Sequence, residues 1–353
     1  MRDIISFPHL GDYSVPIKFF LEKITKMKVV EAPPITKKTI KLGELYSPED
    51  VCVPFKYNLG NFIEALQNNA TILIQAGGGC RYRYYAEVQE KILRDMGYEF
   101  KFIKLMDNSK YDILKMFHKF RELNPDLQIE VFLYYGITGL LMVKYMDKID
   151  EFIRKNIGFE VQHNSFIDLK KEMLKAFSST CGIRDLRRTY KLYFKRFKKL
   201  KIKKKKPIKI GVIGELYTSM ERKSTYDLEM KLAKNNIEIK RFTNLSYLLL
   251  KKGFITKWML FKTRKYCKYT LGADGLDNVY RCLWLKKHKF DGVIHTKPFG
   301  CTPEIGAIPI IKNVCNDNNL PIIFFSFDSQ SEDTGIDTRL EAFFDMLKYR
   351  RMK

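Results

Sequence analysis

Three of the chain's seven cysteines stand in Gly- or Pro-rich stretches, where a thiolate can ligate a metal or act as a nucleophile. Cys52 is set in Ser47-Pro48-Glu49-Asp50-Val51-Cys52-Val53-Pro54-Phe55-Lys56. Cys80 closes Gly77-Gly78-Gly79-Cys80-Arg81-Tyr82, and Cys301 lies in Lys297-Pro298-Phe299-Gly300-Cys301-Thr302-Pro303-Glu304. Gly77, Gly78, Gly79 and Gly300 let the backbone approach a ligand closely and aim its N–H groups at an anion. An iron–sulfur cluster held by thiolates is such an anion, and N–H donors to its sulfurs tune its potential. Spacing restricts the choice. Cys52 and Cys80 are 28 positions apart and no CxxC pair exists, which excludes a zinc ribbon or a ferredoxin-type run. From the residues alone, a metal site and ordinary free thiols both stay open.

Other chemistry is sparser. His9 and His295 lie close to the same motifs and could donate to a cluster sulfur or protonate a substrate; structural hydrogen bonding accounts for them equally well. Glu304 follows Cys301 by three positions at the start of a helical pattern, where its charge also suits the helix dipole. These three are the weak catalytic candidates. Cys181, Cys267, Cys282 and Cys315 fall in helix-like stretches and read as small buried hydrophobes. No HExxH, GxSxG or Walker A sequence is present, and Gly211-Val212-Ile213-Gly214 is only a turn after a strand.

The elements that must position these residues form three zones. Residues 1–125 mix short β-branched runs with helical patterns. A strand is expected from the first residues to Phe7, another over Thr71–Gln75, then the glycine loop, a helix over Tyr84–Met96 closed by Gly97, and a strand over Tyr98–Ile103. That order is a βαβ unit, and in open α/β sheets ligands bind beyond the carboxyl ends of the strands. Residues 126–206 are a helical segment with a Lys-rich end, Lys198 to Lys206, which reads as a solvated helix end or as a docking patch for an acidic partner. Residues 207–353 restart the α/β pattern: strands at Ile208–Ile213, Ile237–Arg241, Gly292–His295 and Pro321–Ser326, helices over Tyr226–Lys234 and Arg339–Arg350. The expected architecture is two flavodoxin-like or Rossmann-like parallel-sheet domains joined by a helical segment, although no sequence repeat links the two.

The 353 residues suffice for two such domains, at ~100–200 residues each. With 45% hydrophobic residues the chain can fill a core, so disorder is excluded as its dominant state. The net charge of +24 invites a polyanion: nucleic acid, an acidic lipid surface or an acidic protein. Lys outnumbers Arg and is spread along the chain, and no nucleic-acid module stands out, so a basic nucleic-acid-binding protein is a minor alternative. An odd number of scattered cysteines and the lack of a secretory signal point to a reducing cytoplasm. No uninterrupted apolar run approaches ~18–20 residues, so no membrane span is expected.

Taken together, Pro8-His9-Leu10-Gly11-Asp12-Tyr13, Pro33-Pro34-Ile35-Thr36, Cys52-Val53-Pro54-Phe55-Lys56, Gly77-Gly78-Gly79-Cys80-Arg81, Pro298-Phe299-Gly300-Cys301-Thr302-Pro303-Glu304 and Thr338-Arg339-Leu340-Glu341-Ala342 resemble the 2-hydroxyacyl-CoA dehydratase family. The closest likeness is to its stand-alone, activase-related branch, often labelled CoA protein activase. The resemblance implies paired flavodoxin-like domains and an oxygen-sensitive [4Fe–4S] cluster held by three cysteines, here Cys52, Cys80 and Cys301. It implies low-potential one-electron reduction of a bound acyl-CoA thioester, in anaerobic metabolism, by a lyase of the dehydratase type or an iron–sulfur reductase. It also implies a paralogous dehydratase-like subunit or a homodimer, and an ATP-dependent activator that carries its own cluster. A non-catalytic scaffold or assembly subunit is the alternative.

Overall fold

The computed structural model describes residues 3–78, 80–106, 112–204, 206–328 and 333–352. Chain contacts divide it into two compact units, Met1–Val143 with Leu174–Thr189, and Lys144–Met173 with Tyr190–Lys353.

In the first unit β1 (Ile4–Phe7) leads to α1 (Ser14–Thr25), β2 (Lys28–Glu31), α2 (Lys37–Tyr46) and α3 (Val53–Gln67). Then come β3 (Ile72–Gln75), a 3-10 turn at Arg81–Tyr84, α4 (Tyr85–Asp95), β4 (Lys101–Lys104) and α5 (Ile113–Arg121). The four strands form a parallel sheet in the order β2-β1-β3-β4, with Ile5 opposite Val29 on one side and Ile72 on the other. Because successive side chains in a strand point to opposite faces, the short apolar runs fill two cores. Ile5, Phe7, Ile72, Ile74 and Ile103 pack with Leu21 and Ile24 of α1 and Phe117 and Phe120 of α5. Leu73 packs on the other face with Phe55, Leu59 and Phe62 of α3 and Leu93 of α4. Burial on both faces is why these strands read as continuous apolar runs rather than alternating ones.

Three long helices follow: α6 (Ile129–Asn156), α7 (Ser165–Ser178) and α8 (Ile183–Lys199). One of them bears on the expectation of no membrane span. The helical run Ile129–Phe159 is long and apolar enough to do so by length and composition. Glycines and tyrosines break up its hydrophobes, so a count of consecutive apolar residues passes over it. A core helix passes the same test, and Phe132 and Met142 of α6 are buried.

In the second unit β5 (Ile208–Gly214) is followed by α9 (Leu216–Met220), a 3-10 turn at Arg222–Thr225, α10 (Leu228–Lys234), β6 (Ile237–Arg241), α11 (Leu245–Leu250) and α12 (Lys252–Thr263). α13 (Gly275–Lys287), β7 (Gly292–Pro298), α14 (Thr302–Asp317), β8 (Ile322–Phe327) and α15 (Asp333–Met352) complete it. Its sheet is also parallel, in the order β6-β5-β7-β8. Ile210, Val212, Ile294 and Phe325 pack with α10 and α15, while Ile213 and Val293 pack with α13 and α14. The fold is thus α/β with two parallel-sheet domains, as the pattern predicts. The two sheets repeat one strand order, a structural repeat that the sequence does not display.

Boundaries differ from expectation where side chains or backbone intervene. β7 continues past His295 to Pro298 because Thr296, Lys297 and Pro298 pair with Phe325, Ser326 and Phe327 of β8. α10 starts at Leu228 rather than Tyr226 because Tyr226 and Asp227 both hold left-handed backbone, φ 51° and 54°. The Lys-rich run is not a freely solvated tail. The Lys203 N–H donates to the Phe159 carbonyl, and Lys204 donates to the Lys155 carbonyl at 3.0 Å and pairs with Glu238 at 2.6 Å.

Candidate functional site

In each sheet the first and third strands are neighbours whose following helices leave on opposite faces. The crevice beyond their carboxyl ends is where open α/β sheets bind ligands. In the first unit the loops at this position are Pro8–Gly11 after β1 and Ala76–Gly78 after β3. His9 sits in the former: its N–H donates to Asn61 Oδ1 at 3.0 Å, and its Nδ1 accepts from the Gly11 N–H at 3.3 Å. In a neutral ring the proton is therefore on Nε2.

Cys52 and Cys80 occupy the same position relative to a helix. Cys52 is the residue before α3, with Pro54 in the first turn, and Cys80 precedes the 3-10 turn that runs into α4. Pro is favoured in a first turn because the N–H it lacks has no partner there anyway. Val53–Lys56 is accordingly the first turn of α3. Neither cysteine side chain caps its helix, so the first-turn N–H groups are not claimed by the thiol.

Tyr85 joins the two. Its hydroxyl is in hydrogen-bond contact with Cys52 Sγ. Burial raises the phenol well above its ordinary range, with the negative charges of Cys52 and then Cys80 adding to the effect. Tyr85 therefore keeps its proton, and it is the donor to Cys52 Sγ when that sulfur is a thiolate. Around this pair the glycines are sterically required. A Cβ on Gly77 would stand 2.3 Å from Met106 Sδ, and one on Gly78 would stand 2.9 Å from Tyr82 Cβ. Gly79 lies outside the described residues.

Cys301 repeats the arrangement in the second unit. It precedes α14, its side chain makes no cap bond, and Pro303 is in the first turn. Gly300 before it has φ +78°, a conformation that costs glycine nothing. Behind this turn the structure brings together His295 and Glu304, both fully buried, with Nε2 and Oε2 2.6 Å apart. Asn278 donates to both Glu304 oxygens, at 3.0 and 2.9 Å, and its own oxygen accepts from Arg281 at 2.9 Å and from the Gly214 N–H at 3.2 Å. Arg281 reaches on to Thr243 at 2.8 Å. The first turn of α14 is thus tied to the ends of β5 and β7 through one buried polar chain. His295 Nδ1 is buried without a hydrogen-bond partner among the described residues.

Sequence reading passed over several residues of this cluster. Lys297 is buried at the end of β7 with its Nζ 2.9 Å from Ser326 Oγ. Burial lowers its affinity for a proton, while the charges of Cys301 and Glu304 act the other way. Asn278, Arg281, Asp274 and Asp277 escaped notice because a helical Asp-x-x-Asp-Asn pattern looks like a solvated face until its partners are in place.

The other cysteines divide. Cys267, Cys282 and Cys315 are buried, as expected of small hydrophobes, whereas Cys181 is exposed and lies between α7 and α8. The position of Cys181 corrects the expectation of a helical, buried residue. No disulfide joins any of the seven cysteines. Among the described residues no group of three or more His, Cys, Asp or Glu stands close enough to hold a metal ion.

Residues 264–347, from the end of α12 into α15, match the family model for 2-hydroxyglutaryl-CoA dehydratase, D-component. The matched stretch contains β7, Cys301, α14 and β8. No curated protein matches the chain.

Proposed function

We propose that this protein is an iron–sulfur subunit of the 2-hydroxyacyl-CoA dehydratase type, in which Cys52, Cys80 and Cys301 hold a [4Fe–4S] cluster. One observation carries the reading: each of these three thiols, and none of the other four, directly precedes a helical first turn that its side chain does not cap. The donor set fits the group, since soft thiolates suit iron–sulfur clusters and amide N–H groups at a helix start favour the charge of such a complex. Gly77, Gly78 and Gly300 would let the chain approach it closely.

When bound, such a cluster supplies single electrons at low potential to an acyl-CoA thioester, the chemistry by which this family removes water from a 2-hydroxyacyl-CoA. The chain's own residues prepare for it. Tyr85 is in hydrogen-bond contact with the Cys52 sulfur and would donate to it as a thiolate ligand. The Glu304–Asn278–Arg281 chain fixes the turn that bears Cys301, and the Lys297 cation offsets thiolate charge. His9 Nε2–H, His295 and Glu304 are the groups available to hold or pass a proton. The matched D-component model further supports a partner subunit and an ATP-driven activator, in a reducing cytoplasm. Placement in the activase-related branch rests on the sequence motifs, strongest at residues 8–98 and 292–345.

Anaerobic reconstitution tests the assignment. Iron and sulfide content should fall by most of its value in Cys52→Ala, Cys80→Ala and Cys301→Ala, and stay near wild type in Cys267→Ala and Cys282→Ala. Equal loss at all five positions, or full retention in any of the first three variants with unchanged far-UV dichroism, would sink it.

A further inference from the structure

Residues 245–273 contain seven Lys or Arg and no Asp or Glu. Lys252 is used inside the fold, paired with Asp274 at 2.5 Å and Asp277 at 3.3 Å, and Lys265 pairs with Asp317 at 3.0 Å. Lys251, Lys257, Lys262, Arg264 and Lys268 pair with no carboxylate among the described residues.

The segment folds into α11 and α12, and α12 is apolar on two sides. Its inner side, with Met259, packs against Cys267 and Leu276. Its outer side presents Phe254, Trp258 and Phe261, at 88%, 48% and 57% exposure, at the i, i+4, i+7 spacing of one helical face. Lys257 and Lys262 flank the aromatic row on its two sides, at one hundred degrees per residue. Leu249 and Leu250 at the end of α11 are exposed as well. Lys262 lies over the Trp258 ring at 5.8 Å and Arg264 over Phe261 at 4.5 Å. Trp258 packs edge-on against Tyr280, but among the described residues most of this aromatic and aliphatic face stays exposed, and exposed apolar patches mark sites of association.

We propose that this face binds the surface of an anionic phospholipid membrane. It lies in the headgroup plane, with Phe254, Trp258 and Phe261 entering the acyl boundary and the flanking cations on lipid phosphates. Charge complementarity calls for an anionic occupant. A second copy of the chain is disfavoured, because a twofold contact would set these cations against themselves. Shape favours lipid over an acidic protein: Phe254 projects as a ridge, and a fluid interface accommodates projecting rings where a protein partner needs a matching pocket. The inference is independent of the cluster assignment, since no cysteine ligand takes part.

Trp258 is a built-in reporter, being one of two tryptophans. The full chain should co-sediment with phosphatidylcholine vesicles containing phosphatidylglycerol and remain in the supernatant with phosphatidylcholine alone. In a Trp284→Phe background, emission should shift to the blue on the anionic vesicles. Phe254→Ala should weaken vesicle binding roughly tenfold, the effect of losing one partly buried ring. Lys257→Glu with Lys262→Glu should remove it. No sedimentation with anionic vesicles, or equal sedimentation of Phe254→Ala and wild type, would overturn the proposal. So would an emission shift with soluble polyglutamate but not with vesicles, which would assign the ridge to an acidic protein.

Discussion

A thiol just before a helix and a thiol inside one obey different physics, and this chain has both. Cys52, Cys80 and Cys301 each stand directly before a helical first turn whose amide N–H groups their side chains leave uncapped. Cys282 lies inside a helix, where its hydrogen bond to Cys315, then burial, push its pKa well above the ordinary value and keep it protonated. Glu215, directly after β5, is a second case of burial acting against charge. Burial pushes its pKa up to about 7, although the amide N–H groups of Tyr217 and Thr218 and the Thr218 hydroxyl all donate to it. The folded state therefore takes up a proton that the unfolded chain, titrating near 4.5, does not hold at the same pH. The stability this provides is complete below about pH 4.5 and is lost as pH rises through 7, an effect on the order of 3 kcal/mol at most. Urea midpoints at pH 5 and pH 8 should thus differ less in Glu215→Gln than in wild type. An equal difference in the two proteins would show that the carboxylate is ionised throughout.

At the scale of elements, what brings β5, β7 and α14 together is close backbone approach. Gly214 ends β5 with φ +140°, and a Cβ there would stand 1.8 Å from the Thr296 carbonyl oxygen on β7. The clash is with backbone, which cannot swing aside. Gly214→Ala should cost roughly 3 kcal/mol or more in chemical denaturation. Gly253→Ala in α12, where nothing stands within 4 Å of the new methyl, should fall within about 1 kcal/mol of neutral, on the stabilising side. Similar losses for both would mean that strand packing is not the cause. The strands themselves were legible in Ile72–Gln75 and Ile237–Arg241, because a short continuous or alternating apolar run suits a strand better than a helix. Their ends were not: β7 extends through Lys297 only because β8 lies alongside to pair with it.

For the molecule as a whole the dominant quantity is the net charge of +24. A positive field of this size speeds encounter with an acidic redox donor, and salt screens it over a Debye length of ~8 Å at physiological strength. Reduction of the reconstituted cluster by an acidic flavodoxin-like donor should slow several-fold between low and moderate salt, through the association rate. If the Lys-rich run after α8 contributes, Lys201→Gln with Lys203→Gln should reproduce part of that slowing. Lys204 is unsuitable for this purpose, since its pair with Glu238 belongs to the fold. Rates that ignore salt in both proteins would remove electrostatic docking as a factor.

The sequence by itself determined the α/β class and the parallel strands, because these depend on local pattern and on residue type. Tertiary structure alone decided which side chains meet. The repeat of one strand order in two units leaves no trace in sequence, since any apolar residue of suitable volume fills a parallel strand. The contact of Tyr85 with Cys52, 33 positions away, and the chain from Arg281 through Asn278 to Glu304 and His295 are likewise invisible in one dimension. A buried charge or hydroxyl is stable only when its partners are in place, and those partners are set by how strands and helices stack, not by how far apart they stand in the chain.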